Sequence, residues 1–461
     1  TSPTSPTSPT SPTSPTSAPH HLPHPSRIRY APTMSLVIRR CRALCLDSGP
    51  AGPRTGATMN ELSIRDGVDV IVRGGRIEAV GESLTIPPGG QVIDAHGDIL
   101  LPGFVDCHTH LCWAGDRLGE WSKRLDGVPY LDILKSGGGI MSTVRAVRET
   151  PLATLTELVR RRLDTILRHG VTTVEVKSGY GLCTEAEIKM LRAIRDAAVT
   201  WPGTVVLTAL LGHAIDPDVG AAAFVDRTIR ETLPAVHAEF PGIAVDLFCE
   251  EGAWSLADSV RLLHAARELG HPVRAHADQF SSKGLISEAV RLGALSVDHL
   301  EQTTPREMES LARSQTFGVG LPITSLGTTT VPHRPREGAP AFTGMTPPIK
   351  FANLRDLIDK GGRVCIATNA NPGSSPTYSM PFAIALAVRF CGLSIPEAIT
   401  AGTFNPAVML GFHDRGLIAP GKRADLVLLR HADYRELAYE LGGDPVRAVI
   451  VHGQVARYYA T

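Results

Sequence analysis

Several things are missing from this 461-residue chain, and each absence excludes a class of protein. It has no cluster of Lys and Arg, and its 46 basic residues are balanced by 46 acidic ones. That argues against nucleic acid or an anionic membrane surface as partner. No stretch offers the unbroken apolar span of a transmembrane helix. The eight cysteines (Cys41, Cys45, Cys107, Cys112, Cys183, Cys249, Cys365, Cys391) show no Cys-x-x-Cys spacing and sit mostly in apolar runs. They read as buried free thiols of a reducing cytosol, not as disulfides or a structural zinc site. The first 33 residues lack anything to bury: Thr1–Ser17 repeats Thr-Ser-Pro, and the stretch to Thr33 is rich in Pro, His and Ser. This is expected to be a disordered tail over 1–33, with no h-region for a secretory signal and too much proline for a transit helix. Met34 opens sequence that looks folded and is a candidate start of translation.

What remains is 43% apolar over the chain as a whole, enough for one large or two modest domains. From Met34 to Leu100 the texture is strand and turn: SLVIRRCRAL, then VDVIVRGGRIEAVG, then QVIDAHGDILL, with Gly74-Gly75 as a two-residue hairpin turn. The same texture returns only near the C-terminus, in ADLVLLR and VRAVIVHGQVARYY, where His452-Gly453 makes another tight turn. Strand-rich ends around a different middle predict one small β-sandwich built from 34–100 and 413–461.

Over 101–412 the period switches to strand–helix alternation. Apolar runs end near His110, Lys177, His213, Glu250, His276, His299, Pro322 and Asn369, which makes eight. Segments between them, such as LATLTELVRRRLDTILRH and TEAEIKMLRAIRDAAV, carry apolar residues at helical spacing, with acids early and bases late. The expected fold is therefore α/β, a (β/α)8 barrel of the TIM type carrying a β-sandwich from both chain ends. Chemistry in such barrels sits at the C-terminal ends of the strands.

The first strand ends in LPGFVDCHTHLCW, where His108 and His110 share one face of an extended strand. Taken alone, a His-x-His run is as well explained by ordinary hydrogen-bonded histidines. His276 and His299 close runs five and six, so four imidazoles converge on one barrel mouth. Gln279 follows His276 by three residues and could orient water or substrate, or simply sit exposed on its loop. Arg117, after strand one, offers an anion clamp, although most loop arginines are solvated. Tyr180 in SGYG and Asn371 in NANPG lie in glycine-rich loops that allow close approach of a ligand or merely make turns.

The His108-Thr-His110 run, SGYGL, LLGHA, HADQ, VDHLE and NPGSSPT, in that order, resemble the imidazolonepropionases of the amidohydrolase superfamily. The resemblance covers nearly all of the folded chain. It implies a (β/α)8 barrel with a β-sandwich from both ends, and hydrolytic opening of 4-imidazolone-5-propanoate to N-formimidoyl-L-glutamate in histidine degradation. It implies one metal per chain, zinc or iron, divalent or trivalent, on His108, His110 and His276. Arg117, Tyr180, His213 and Gln279 would line the substrate pocket, and Asn371, Gly373 and Ser374 would form the loop at the substrate's polar edge. His299 would sit beside the water, with Gln279 assisting. A small-molecule substrate and a cytoplasmic location follow from it, and a homodimer stays open.

One position departs from the family pattern. Where the family carries an aspartate at the end of strand eight, as metal ligand and proton shuttle, this chain has Asn369. An amide oxygen can coordinate a metal weakly but cannot take a proton, and general acid-base help is worth about 10²–10⁴ in rate. Proton transfer would then fall to His299 or Asp278. Two other readings stand beside the leading one: an amidohydrolase of another cyclic amide or amidine, and a catalytically impaired relative that binds metal.

Overall fold

The computed structural model describes residues 35–49, 52–128, 132–133, 138–328 and 350–459. The tail over 1–33 lies outside the described residues.

The two chain ends meet in one eight-stranded sheet. Its strands are β1 (Leu36–Leu44), β2 (Ile64–Arg73), β3 (Arg76–Gly81), β4 (Gln91–Asp94) and β5 (Ile99–Pro102) from the N-terminal side. From the other end come β14 (Leu426–Leu429), β15 (Val446–Val451) and β16 (Gln454–Tyr458). The order is β16-β15-β14-β5-β1-β2-β3, with β4 on β1. β1 pairs in parallel first with β4, through Leu36–Arg39, and then with β5, through Arg42 and Ala43. Register shifts after Ile38 and Cys41 and a left-handed Arg40 (φ 52°) bend it between the two. A bulge of this kind lets one strand serve two neighbours in succession.

Alternation along these strands explains why both faces of the sheet are apolar. Leu100, Leu426, Leu428, Ala448 and Ile450 point into the sheet's own core. Their neighbours Ile99, Leu101, Val427, Leu429, Val449 and Val451 join the core of the barrel. With a period of two, one run of consecutive apolar residues serves both. The hairpin turns at Gly74-Gly75 and His452-Gly453 lie between β2 and β3 and between β15 and β16.

The barrel comprises β6 (Phe104–Thr109), β7 (Val171–Lys177), β8 (Thr204–Gly212), β9 (Ala244–Cys249), β10 (Arg274–Ala277), β11 (Ser296–His299), β12 (Phe317–Gly320) and β13 (Arg363–Ile366). They are parallel and adjacent in chain order. Helices run between them, among them Leu152–Arg168 and Thr184–Ala198, the two segments with the clearest helical spacing. The seam between β13 and β6 is closed beyond the strand end. Asn369 N–H donates to His108 C=O at 3.0 Å, and His110 N–H donates to Ala370 C=O at 2.9 Å. Buried Asp106 accepts from the Thr368 hydroxyl (2.5 Å) and N–H (3.1 Å). The closure of the barrel thus fixes the backbone on which the first two histidines and Asn369 stand.

The eight cysteines are free thiols, and all but the half-buried Cys183 are buried. Among the described residues no helix is long and apolar enough to cross a membrane.

Candidate metal centre

His108 and His110 leave β6 on the same side, and His276 comes from β10. One ring nitrogen from each lies within 4.8 Å of the others, with all three residues buried. Two of the tautomers follow from their partners. His108 Nδ1 lies 2.6 Å from Asp298 Oδ2, and His276 Nδ1 lies 3.2 Å from Asp246 Oδ1. Each carboxylate accepts from Nδ1–H, which leaves the Nε2 lone pair for something else. His108 Nε2 is buried without a partner, and His276 Nε2 faces His110 Nε2 at 3.4 Å. Among the described residues no partner fixes the tautomer of His110, whose Nδ1 is also unpaired; with its proton there, the three Nε2 lone pairs converge as a donor set that a cation would complete. Burial and then the positive Lys177 hold His108 well below the ordinary imidazole range. Burial, followed by the His213 and His276 rings, does the same for His110. Burial also lowers His276, against the pull of Asp246. All three are therefore neutral and can donate.

Beneath the imidazoles lies a layer of paired charges inside the barrel. Lys177 Nζ bridges Glu175 Oε1 (2.8 Å) and Asp246 Oδ2 (2.7 Å). Arg274 reaches Asp298 Oδ2 (2.9 Å) and Glu175 Oε1 (3.2 Å) and also donates to Cys107 C=O at 2.9 Å. Burial alone would raise the Asp246 carboxyl, but Lys177, with His276 and Arg274, holds it well below the carboxylate range. None of these five charged residues is among the site residues expected from sequence. The signal that could have found them is a charge inside an apolar strand, as in VEVK, AVDLF, VRAH and SVDH.

His299, His213 and Tyr180 gather at the same mouth. His299 ends β11, with its ring centroid 5.5 Å from His276 and 6.1 Å from His108. His213 stacks on His110 at 5.0 Å, and Tyr180 lies 5.0 Å from His213. His213 is part-exposed, and burial of the rest of its ring, with His276 beside it, lowers its pKa. Burial raises that of the Tyr180 phenol, which stays protonated. Gly179 (φ 109°) is required there, because a Cβ would stand 3.0 Å from His213 Nδ1 and 2.9 Å from Leu210. Gln279 follows Asp278, a left-handed residue (φ 59°) at the end of β10. His299 (φ 90°), Leu300 (φ 75°) and Asn369 (φ 52°) are left-handed as well. Such strain costs about 1–3 kcal/mol per residue and is tolerated where a site over-determines the backbone.

Asn369 Nδ2 donates to Thr324 Oγ1 at 2.7 Å, which leaves its buried Oδ1 without a partner. Thr324, on the short helix Pro322–Thr328, escaped notice in the sequence. Asn371 spends its side chain on its own loop. Its Oδ1 accepts from the N–H groups of Gly373 and Ser374, both at 2.8 Å, while its Nδ2 donates to Asn369 C=O (2.7 Å) and Ser374 Oγ (3.0 Å). Arg117 is paired with Glu120.

Residues 99–456 match the amidohydrolase family. The chain belongs to that family. It is 42% identical over 424 residues to an imidazolonepropionase of Herpetosiphon aurantiacus, covering 89% of this chain and 95% of the relative. An imidazolonepropionase of Deinococcus deserti is 43% identical over 398 residues, covering 86% and 94%. Within the family the chain belongs to the imidazolonepropionases. Solved structures share the fold at low identity. A triazine hydrolase variant has a TM-score of 0.68 at 18% identity, covering 92% of this chain and 95% of that one. A zinc-bound adenosine deaminase of Xanthomonas campestris has a TM-score of 0.62 at 18% identity, covering 92% and 93%.

Two outcomes follow from the geometry. Asp298→Asn weakens the hold on His108 Nδ1–H, and zinc affinity read by chelator competition should fall about 10–100-fold; an unchanged affinity would mean that Asp298 serves only Arg274. The neutral histidines also set an acid limit. Their folded pKa values lie below the unfolded 6.5, so below about pH 6.5 the unfolded chain takes up protons that the folded chain refuses, and stability falls with pH. Urea unfolding of the metal-free protein should show its free energy declining from pH 7 to 5, and a flat profile contradicts this.

Proposed function

We propose that this protein hydrolyses 4-imidazolone-5-propanoate to N-formimidoyl-L-glutamate in the cytoplasm, using one zinc or iron ion per chain. The observation that carries this reading is the convergence of three neutral, buried imidazoles within 4.8 Å at one barrel mouth of an imidazolonepropionase relative. His108, His110 and His276 would hold the metal through nitrogen, the donor type that suits zinc and iron. The unpartnered Asn369 Oδ1 is the remaining donor. When bound, the metal supplies water whose pKa falls from about 15.7 towards 7.

The chain's own groups do the rest. Water adds to the ring carbonyl carbon, and the bond from that carbon to the adjacent ring nitrogen breaks. Asn369 cannot take the proton, so His299 receives it and returns it to the departing nitrogen. Tyr180, with Gln279, donates hydrogen bonds to the carbonyl oxygen as charge develops on it, while His213, whose Nδ1–H donates to Gly179 C=O at 3.0 Å, lines the pocket with its other ring nitrogen as an acceptor. Arg117 binds the propanoate, and the loop of Asn371, Gly373 and Ser374 borders the polar edge of the ring.

Zinc-loaded protein should consume 4-imidazolone-5-propanoate, seen as loss of its ultraviolet absorbance. Metal-loaded protein without turnover would favour a binding relative, and turnover only of another cyclic amide or amidine would favour a different amidohydrolase. Restoring a carboxylate by Asn369→Asp should raise kcat, by up to about 10² if the shuttle is limiting, with little change in KM. A drop in kcat would show that the site has been rebuilt around the amide and Thr324.

A further inference from the structure

The guanidinium of Arg117 is not a loose clamp. Its Nε and Nη2 donate to Glu120 Oε2 and Oε1, both at 2.6 Å, in a two-point fork. The side chains are only 12% and 11% exposed, so the pair is not a mobile surface contact. Glu120 is also held from behind, because its Oε2 accepts the N–H of Gly139 at 2.9 Å. Gly139 is the residue that opens the helix Ile140–Glu149. The fold therefore fixes the carboxylate, and the carboxylate fixes the guanidinium.

What this leaves is the end of the fork: Nη1 and the second N–H of Nη2. That end faces the loop after β13. A Cβ on Gly373 would lie 3.6 Å from Nη1 and 3.9 Å from Cζ, so the glycine stands directly beside that end. The end edge of a guanidinium matches one carboxylate bidentately. Since Glu120 already balances the charge of Arg117, the pair offers direction more than net positive charge.

We propose that Glu120 is a positioning residue that aims the free end of the Arg117 guanidinium at the propanoate of the substrate and limits the clamp to one carboxylate. This rests on the reaction assigned above. Without Glu120 the guanidinium loses its fixed orientation, and binding of the propanoate weakens while the chemistry at the ring is untouched.

The test compares 4-imidazolone-5-propanoate with an imidazolone bearing an ethyl group in place of the propanoate chain, using the full zinc-loaded chain. Glu120→Ala should raise KM for the propanoate substrate about tenfold or more and leave kcat within about twofold, while kcat/KM for the ethyl compound stays unchanged. Glu120→Gln, which can still accept one of the two N–H bonds, should fall between and serves where the alanine variant does not fold. Zinc content and circular dichroism equal to those of the unaltered protein separate this effect from misfolding. A fall in KM, which would mean that Glu120 competes with the substrate, overturns the proposal, and so does an equal loss for both compounds. Absence of turnover by the unaltered protein overturns the assigned reaction and this proposal with it.

Discussion

Everything at the mouth of this barrel depends on the charge layer beneath it. Glu175, Lys177, Asp246, Arg274 and Asp298 stand inside the barrel at 0–1% exposure. Charges so placed are costly to desolvate, and removing one partner strands another, at about 3–5 kcal/mol. Their pairing offsets that cost, and it also has directional consequences. Two of the three carboxylates turn outward to His108 Nδ1 and His276 Nδ1 and fix both tautomer and ring orientation. The imidazoles can therefore be neutral, aligned and dry at the same time.

The backbone supports the same layer from another direction. The barrel seam is closed by hydrogen bonds made by His108, Asn369, His110 and Ala370 themselves. A change that loosens the closure would therefore move the site as well. Left-handed residues at the ends of β10, β11 and β13 gather strain where the fold is most strongly constrained. The terminal sheet packs its second face on the barrel through Leu101, Val427 and Val449, which joins the chain ends to the frame that carries the site.

Much of this was legible in the sequence because period and punctuation are local. Eight apolar runs, seven of them ending near polar residues, marked the barrel, and the runs near the two ends marked the shared sheet. His108, His110, His276 and His299 were legible because a strand end names the place where its residue points. Partnerships were not legible. Asp298 and Asp246 look like any polar residue in a strand until β11 is set across the barrel from β6 and β9 beside β10, because nothing local pairs Asp298 with a residue 190 positions away. Thr324 sits in a short helix with no signal of its own. The glycine-rich loop of Asn371 left both ligand approach and turn-making open, and the hydrogen bonds of the Asn371 side chain to Gly373 and Ser374 show that it makes the turn. Glu120, three residues beyond Arg117, matches an ordinary helical ion pair, and only its second contact with Gly139 sets it apart.

The central claim is that three imidazoles, oriented by buried carboxylates, hold one metal ion at the mouth. X-ray absorption at the zinc edge of protein loaded with one equivalent tests it most directly. Three imidazole nitrogens at about 2.0–2.1 Å, completed by oxygen, are predicted. A sulfur ligand, or a shell with fewer than three imidazoles, would contradict the account.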